Sequence, residues 1–211
     1  MLILESYIAQ RQNWPEEGRH VLAQYDEKSI VVYQAYKPSI GQWSVRHQRL
    51  GGPDFSYGRM SWIKPNFLWM MYRSGWGTKK DQETTLALRL ARSFFDNLLE
   101  TAVASAFSGS EYQSVEEWKA ALQASEVRLQ WDPDHDPHGK PQERRAIQLG
   151  LRGMALKRFG EEALLEILDV SDFVSEQFKN IEAGDLEKLQ TPMERVYIPE
   201  SGITYSSDRR R

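Results

Sequence analysis

Cysteine is missing altogether from the 211 residues. That removes disulfides, thiolate metal sites and cysteine nucleophiles from consideration. The phosphate-binding GxxxxGK[ST] loop, the dinucleotide fingerprint GxGxxG, the zinc-hydrolase HExxH and the nucleophile elbow GxSxG are absent too. The commonest nucleotide-binding and hydrolytic architectures therefore have no support in the sequence. No apolar run approaches the roughly 20 residues that a spanning helix needs. The opening MLILESYIAQRQ has neither a basic flank nor a small-residue cleavage site, so it does not read as a signal peptide. A soluble, cytoplasmic protein without a membrane partner is the expectation. Neither sign of charge dominates: the net charge of −3 argues against a general nucleic-acid coat and leaves a local basic groove open. No repeat or linker interrupts the chain, and nothing in the pattern specifies an oligomeric state.

What the chain has instead is one concentrated stretch, Phe55 to Trp76, with the sequence FSYGRMSWIKPNFLWMMYRSGW. It holds Trp62, Trp69 and Trp76, three of the chain's seven tryptophans, along with Phe55, Tyr57, Phe67 and Tyr72. Its only formal charges besides Asp54 before it are cations, Arg59, Lys64 and Arg73, followed by Lys79. Burying apolar surface is favourable by about 25 cal/mol per Å², which drives the rings inward. Guanidinium and ammonium groups resist that burial unless paired or stacked. The same few residues must build core and present cations. Such a segment reads as a pocket wall for an anionic or planar ligand, or as an aromatic core whose cations reach out to solvent along their apolar stems.

Around this stretch the pattern is that of an α+β fold. Residues 1–18 mix polar and apolar positions, carry Pro15 and Gly18, and are expected to wrap the surface. Residues 19–26 and 29–36 read as strands joined by Asp26–Lys28, an antiparallel hairpin. In the second of them Val32, Gln34 and Tyr36 share one face, and Val31, Tyr33 and Ala35 the other. Pro38 and Pro65 each suit the first turn of a helix. Leu86, Leu88 and Leu90 alternate along a strand, and a capping box at Ser114–Glu117 opens a helix. Residues 126–131 and 145–151 alternate as strands, separated by DPDHDPHGKPQ, whose Pro, Asp and Gly content predicts an exposed loop. The expectation is one α+β domain over residues 19–198, built on a mostly antiparallel or split sheet with interspersed helices, and a charged tail over 199–211.

The candidate chemistry is uneven in weight. Asp132, Asp134, His135, Asp136 and His138 are metal-ligating types, but neighbours in a proline-broken loop seldom converge on one ion, so no metal is assigned. Asp132, directly after the strand, either caps that loop or faces a pocket. Arg59, Lys64, Arg73 and Lys79 form the sharpest set, an anion clamp in which Trp62, Trp69 and Trp76 stack on a planar group. Gln34, in mid-strand beside two tyrosines, needs hydrogen-bond partners if buried; it serves either the structure or the reading of a ligand's polar edge.

The segments YDEKSIVVYQAY, FSYGRMSWIKPNFLWMMYRSGWGTK, VRLQWDP and RAIQLGL, in this order, resemble the domain of unknown function 4291 family over roughly residues 19 to 198. That resemblance implies membership and carries no activity with it. In layout alone, a strand ending Tyr33-Gln34-Ala35-Tyr36 followed by a helix and an aromatic segment is similar to ADP-ribosyltransferase folds. That likeness implies NAD as cofactor, with Gln34 at the ribose, a Tyr or Trp of the focal stretch on the nicotinamide, and Gln148 in the late catalytic position. The sequence departs from the pattern there: it has no His-Gly-Thr motif, and Gln148 stands where a Glu is usual.

The leading expectation is a pocket for a small anionic, nucleotide-like ligand, bound by Arg59, Trp62, Lys64, Trp69, Arg73, Trp76 and Lys79, with Gln34 and Gln148 as the transferase layout's catalytic pair. An interaction module without catalysis, whose aromatic stretch is simply core, and a nucleic-acid binder with a local basic groove are the alternatives.

Overall fold

The computed structural model describes residues 2–108 and 111–200. The charged end of the expected tail, from 201 onward, lies outside the described residues. The elements follow in order. First come β1 (Leu4–Ser6), α1 (Tyr7–Arg11), β2 (Gly18–Arg19), β3 (Leu22–Ala23), β4 (Ser29–Tyr36) and α2 (Pro38–His47). Then come β5 (Ser61–Ile63), α3 (Phe67–Ser74), β6 (Thr84–Ala91), α4 (Arg92–Thr101), β7 (Val103–Ala104) and α5 (Val115–Ala124). The chain continues with β8 (Val127–His135), β9 (Pro141–Leu151), α6 (Gly153–Arg158), a π-helical turn (Phe159–Ala163), β10 (Leu164–Asp169), α7 (Ser171–Glu182), β11 (Gln190–Pro192) and β12 (Arg195–Val196). This is an α+β fold.

Two sheets carry the architecture. In the first, β6 lies between β10 and β4, antiparallel to both, with β4 in register from Ser29↔Ala91 to Tyr36↔Thr84. The β-branched, aromatic run Ile30-Val31-Val32-Tyr33 suits a strand covered on both faces. Ile30 and Val32 point into a core that also holds Leu86, Leu88 and Leu90 of β6, while Val31, Tyr33 and Ala87 point into a second core. In the second sheet, β8 and β9 form a long antiparallel hairpin; β7 runs parallel to β8, and β9's other edge carries β2 and β5. Val127, Leu129, Ile147, Leu149 and Leu151 of this hairpin share the first core with the first sheet.

The sheets are stitched together at one antiparallel bridge. The Tyr33 N–H donates to the Lys64 carbonyl at 2.7 Å, and the Lys64 N–H returns to the Tyr33 carbonyl at 3.2 Å. Lys64, one residue past β5, is therefore fixed in backbone position by strands from both sheets.

Three expectations need correction. Residues 19–26 do not form a regular hairpin with β4: they break into β2 and β3, which pair with β9 and β12, and only a Tyr25↔Ile30 bridge remains. Val21 and Ala23 enter one core and Leu22 the other. β4 takes its eight-residue ladder from β6 instead, whose apolar alternation matches its own. Residues 132–142 are an exposed loop only in their middle, a turn over 136–140 with His138 and Lys140 exposed; β8 runs on to His135, and Asp134 and His135 are buried. Arg144 makes that possible, donating to Asp134 Oδ2 from Nε (2.8 Å) and Nη2 (2.5 Å) and lying over the Trp14 ring. The amino-terminal stretch does more than wrap the surface. Tyr7 and Trp14 are buried in the second core, and β1 pairs with β11.

Candidate functional site

Helix α3 turns the aromatic stretch into a wall. Asn66 caps its start by accepting the Trp69 N–H at 2.7 Å, and buried Glu194 accepts the Phe67 N–H at 2.7 Å. Both satisfy donors that a helix leaves open at its N-terminus. Burial raises the Glu194 carboxyl well above the ordinary carboxylate range. At the other end Gly75 takes the left-handed conformation that closes helices (φ +57°). Lys79 reaches back from beyond it to the Tyr72 and Arg73 carbonyls. Within the helix, Phe67, Met70 and Met71 enter the second core. Trp69 and Arg73, four residues apart, share the face turned to the second sheet.

Opposite α3 stands the polar face of the β8–β9 hairpin. Alternation sends Leu129 and Leu149 into the core and leaves Gln130, Asp132 and Gln148 facing the other way. Gln130 and Gln148 are cross-strand partners. Each donates its amide to the carboxylate between them, Gln130 to Asp132 Oδ1 and Gln148 to Asp132 Oδ2, both at 2.8 Å. Trp62 of β5 lies over Gly150. A Cβ there would come within 2.8 Å of Met60 Sδ and 3.0 Å of the Trp62 ring, so the missing side chain is what admits the indole.

Trp62, Lys64, Trp69, Arg73, Gln130, Asp132 and Gln148 together line a cavity of about 320 Å³. Trp69 is only 4% exposed, and its indole N–H has no partner among the described residues. Its ring is held by stacking: it meets Tyr72 at 5.4 Å and His135 at 5.2 Å, and those two rings lie 3.6 Å apart. Burial lowers the His135 pKa and favours the neutral ring. Lys64 is 6% exposed. Burial first, and then the neighbouring Arg73 charge, pull its pKa from 10.5 down to about 8, against the opposing pull of Asp132.

The expected residues divide cleanly. Lys64, Arg73, Trp62, Trp69 and Gln148 meet at the cavity. Arg59 is exposed ahead of β5, and Lys79 is engaged at the end of α3. Trp76 is buried in the second core, its N–H donating to the Pro137 carbonyl and its ring stacked on Phe178. Gln34 does not line the cavity; its amide donates to Ser61 Oγ and the Trp62 carbonyl, tying β4 to β5. Gln130 and the Tyr72–His135 stack were not singled out in the sequence. The alternation of EVRLQWD does hold the signal for Gln130, since it sets Gln130 on the same face as Asp132. Among the described residues, no group of three or more His, Asp and Glu side chains is placed to hold a metal ion. No described helix is long and apolar enough to cross a membrane.

A larger cleft, of about 480 Å³, opens between α4, α5 and α6. Its carboxylate, Glu126, caps α6 through the Met154 and Ala155 N–H groups. The chemistry concentrates in the smaller cavity.

A model of the family described as Domain of unknown function (DUF4291) matches residues 20–197. The chain belongs to the DUF4291 family. All seven lining residues of the smaller cavity fall inside the matched span, whereas the DUF4291 match begins after Tyr7 and Trp14, which help close the second core. No curated protein matches the chain.

Proposed function

We propose that this DUF4291 chain binds a small anionic ligand bearing a planar ring, of mononucleotide size or less, in the cavity between α3 and the β8–β9 hairpin. The observation that carries the reading is the buried Lys64 held near Arg73 at a cavity wall that also contains two tryptophans. Placing two cations together with one of them desolvated is unfavourable, and an anion relieves it. Trp62, half-buried, offers a ring face, and the unpartnered Trp69 N–H offers a donor. The Gln130–Asp132–Gln148 row presents donors and acceptors to the edge of a heterocycle. The volume stands at the lower end for small-molecule sites, which run from about 300 Å³ upward, so a dinucleotide such as NAD would extend beyond it.

The test is thermal stabilisation by nucleoside monophosphates, aromatic carboxylates and NAD. A ligand at 100 times its dissociation constant adds about 2.7 kcal/mol, which raises Tm by roughly 5–10 °C in a chain of this size. The shift is expected to disappear in Arg73→Met. Absence of any shift across these ligand classes overturns the proposal.

A further inference from the structure

Resting on that reading of the cavity, we infer that Lys64 is a nucleophile that forms an imine with the carbonyl group of an anionic aldehyde or ketone. Three observations support it. The Lys64 side chain is buried at the cavity wall, makes no side-chain hydrogen bond among the described residues, and feels two charges, the like charge of Arg73 and the opposite one of Asp132. Desolvation and an adjacent cation are the two means by which a lysine is made nucleophilic near neutral pH. Its backbone is locked at the junction of the two sheets by both hydrogen bonds to Tyr33, which limits the search of its long side chain. Asp132 is held by two glutamine amides, yet a carboxylate has about four acceptor positions, so it keeps room for a proton.

The step balances without a further reactant. Lys64 starts as the ammonium and passes one proton to Asp132. The neutral Nζ then adds to the carbonyl carbon, and a second proton moves from Nζ to the carbonyl oxygen as the carbinolamine forms. Asp132 returns the first proton to that hydroxyl, which leaves as water, and a protonated imine remains with Asp132 again a carboxylate. Arg73, exposed at the C-terminal end of α3, is placed for the substrate's anionic group, and Trp62 for a ring conjugated to its carbonyl. A pKa of about 8 in place of 10.5 makes roughly 300-fold more neutral amine available at pH 7.

The experiment treats the full chain with one equivalent of pyridoxal 5′-phosphate or, separately, phenylpyruvate in the presence of cyanoborohydride, followed by peptide mapping. The expected result is one reduced adduct on Lys64, formed at least tenfold faster than on exposed Lys157. Its rate should rise with pH about a midpoint near 8, and Arg73→Met should move that midpoint upward. Adducts spread over surface lysines, with Lys64 no faster than Lys157, overturn the inference. Tryptophan fluorescence on the same samples separates the failures. Saturable quenching without a Lys64 adduct overturns the imine and leaves the cavity as a binding site; neither quenching nor adduct overturns both.

Discussion

Replacing Lys64 by Met tests directly whether this lysine serves the fold or the site. In the folded chain its pKa is about 8, against 10.5 for an ordinary lysine. At 1.36 kcal/mol per unit, holding the protonated amine in place at pH 7 costs about 3 kcal/mol. Methionine occupies a similar shape without that charge. The loss of Lys64 also withdraws a partner charge from Asp132, although the amides of Gln130 and Gln148 and the Arg73 guanidinium remain near it. The net expectation is a gain of about 1–3 kcal/mol, seen as a Tm increase of roughly 3–10 °C. The pH dependence provides a second check. With the folded pKa below the unfolded one, the unfolded chain binds more protons between pH 8 and 10.5, so wild-type stability from this group rises with pH across that window. The advantage of Lys64→Met is full below pH 8 and fades toward pH 10.5. Denaturation followed by circular dichroism at pH 7, 9 and 10.5 measures it, and the wild-type-minus-variant difference cancels the tyrosines that titrate nearby. A variant less stable than wild type at pH 7, or a difference that does not change with pH, would refute the reasoning and make Lys64 a structural ion-pair partner.

Arg144→Met removes the only side-chain cation bonded to buried Asp134 among the described residues and should cost about 3–5 kcal/mol; the double variant with Asp134→Leu should recover most of it in urea denaturation. Gly150→Ala sets a Cβ against Met60 and Trp62 and is expected to cost about 1–3 kcal/mol by overpacking, with a changed Trp62 emission and weaker ligand-induced stabilisation. Trp69→Phe deletes a buried, unpartnered N–H, so its stability cost should stay below about 2 kcal/mol, less than the 3–5 of a full truncation, while the Tm shift given by ligands falls.

Much of the fold was legible because its strongest signals were periodic. The alternation of Leu86, Leu88 and Leu90, the β-branched run at 30–33, Pro38 as the first residue of α2 and Pro65 two residues ahead of α3, outside its first turn, each act over a few residues and needed no distant partner. Where the reading failed, a distant partner decided. The DPDHDP segment is as polar as any loop, yet Arg144, ten residues on, neutralises Asp134 and lets β8 continue. Tyr7 and Trp14 look like surface residues until the second core, assembled from α3 and α7, covers them.

The candidate site has the same two-part character. Lys64, Trp69 and Arg73 were visible as an aromatic-cationic cluster, because two of them sit at helical spacing and the third opens the turn before that helix. Linear nearness, however, says little about which cations converge. Arg59 is five residues from Lys64 and points elsewhere, while Gln130 and Gln148 arrive from strands more than 60 residues away. What decides membership is the pleat: Gln130, Asp132 and Gln148 fall on the face of the hairpin that does not build the core, and β5 lays Trp62 and Lys64 along the same side. A one-residue slip of β8 against β9 would turn Gln130 and Asp132 into the first core and bring Leu129 out. The register that packs Leu129 and Leu149 is therefore the same register that assembles the cavity, and a variant such as Leu149→Ala should loosen both together. It is expected to destabilise the chain by about 2–5 kcal/mol and to weaken ligand-induced stabilisation without touching a lining residue. If Leu149→Ala lowers stability but leaves the ligand shift intact, the cavity does not depend on the core beneath it.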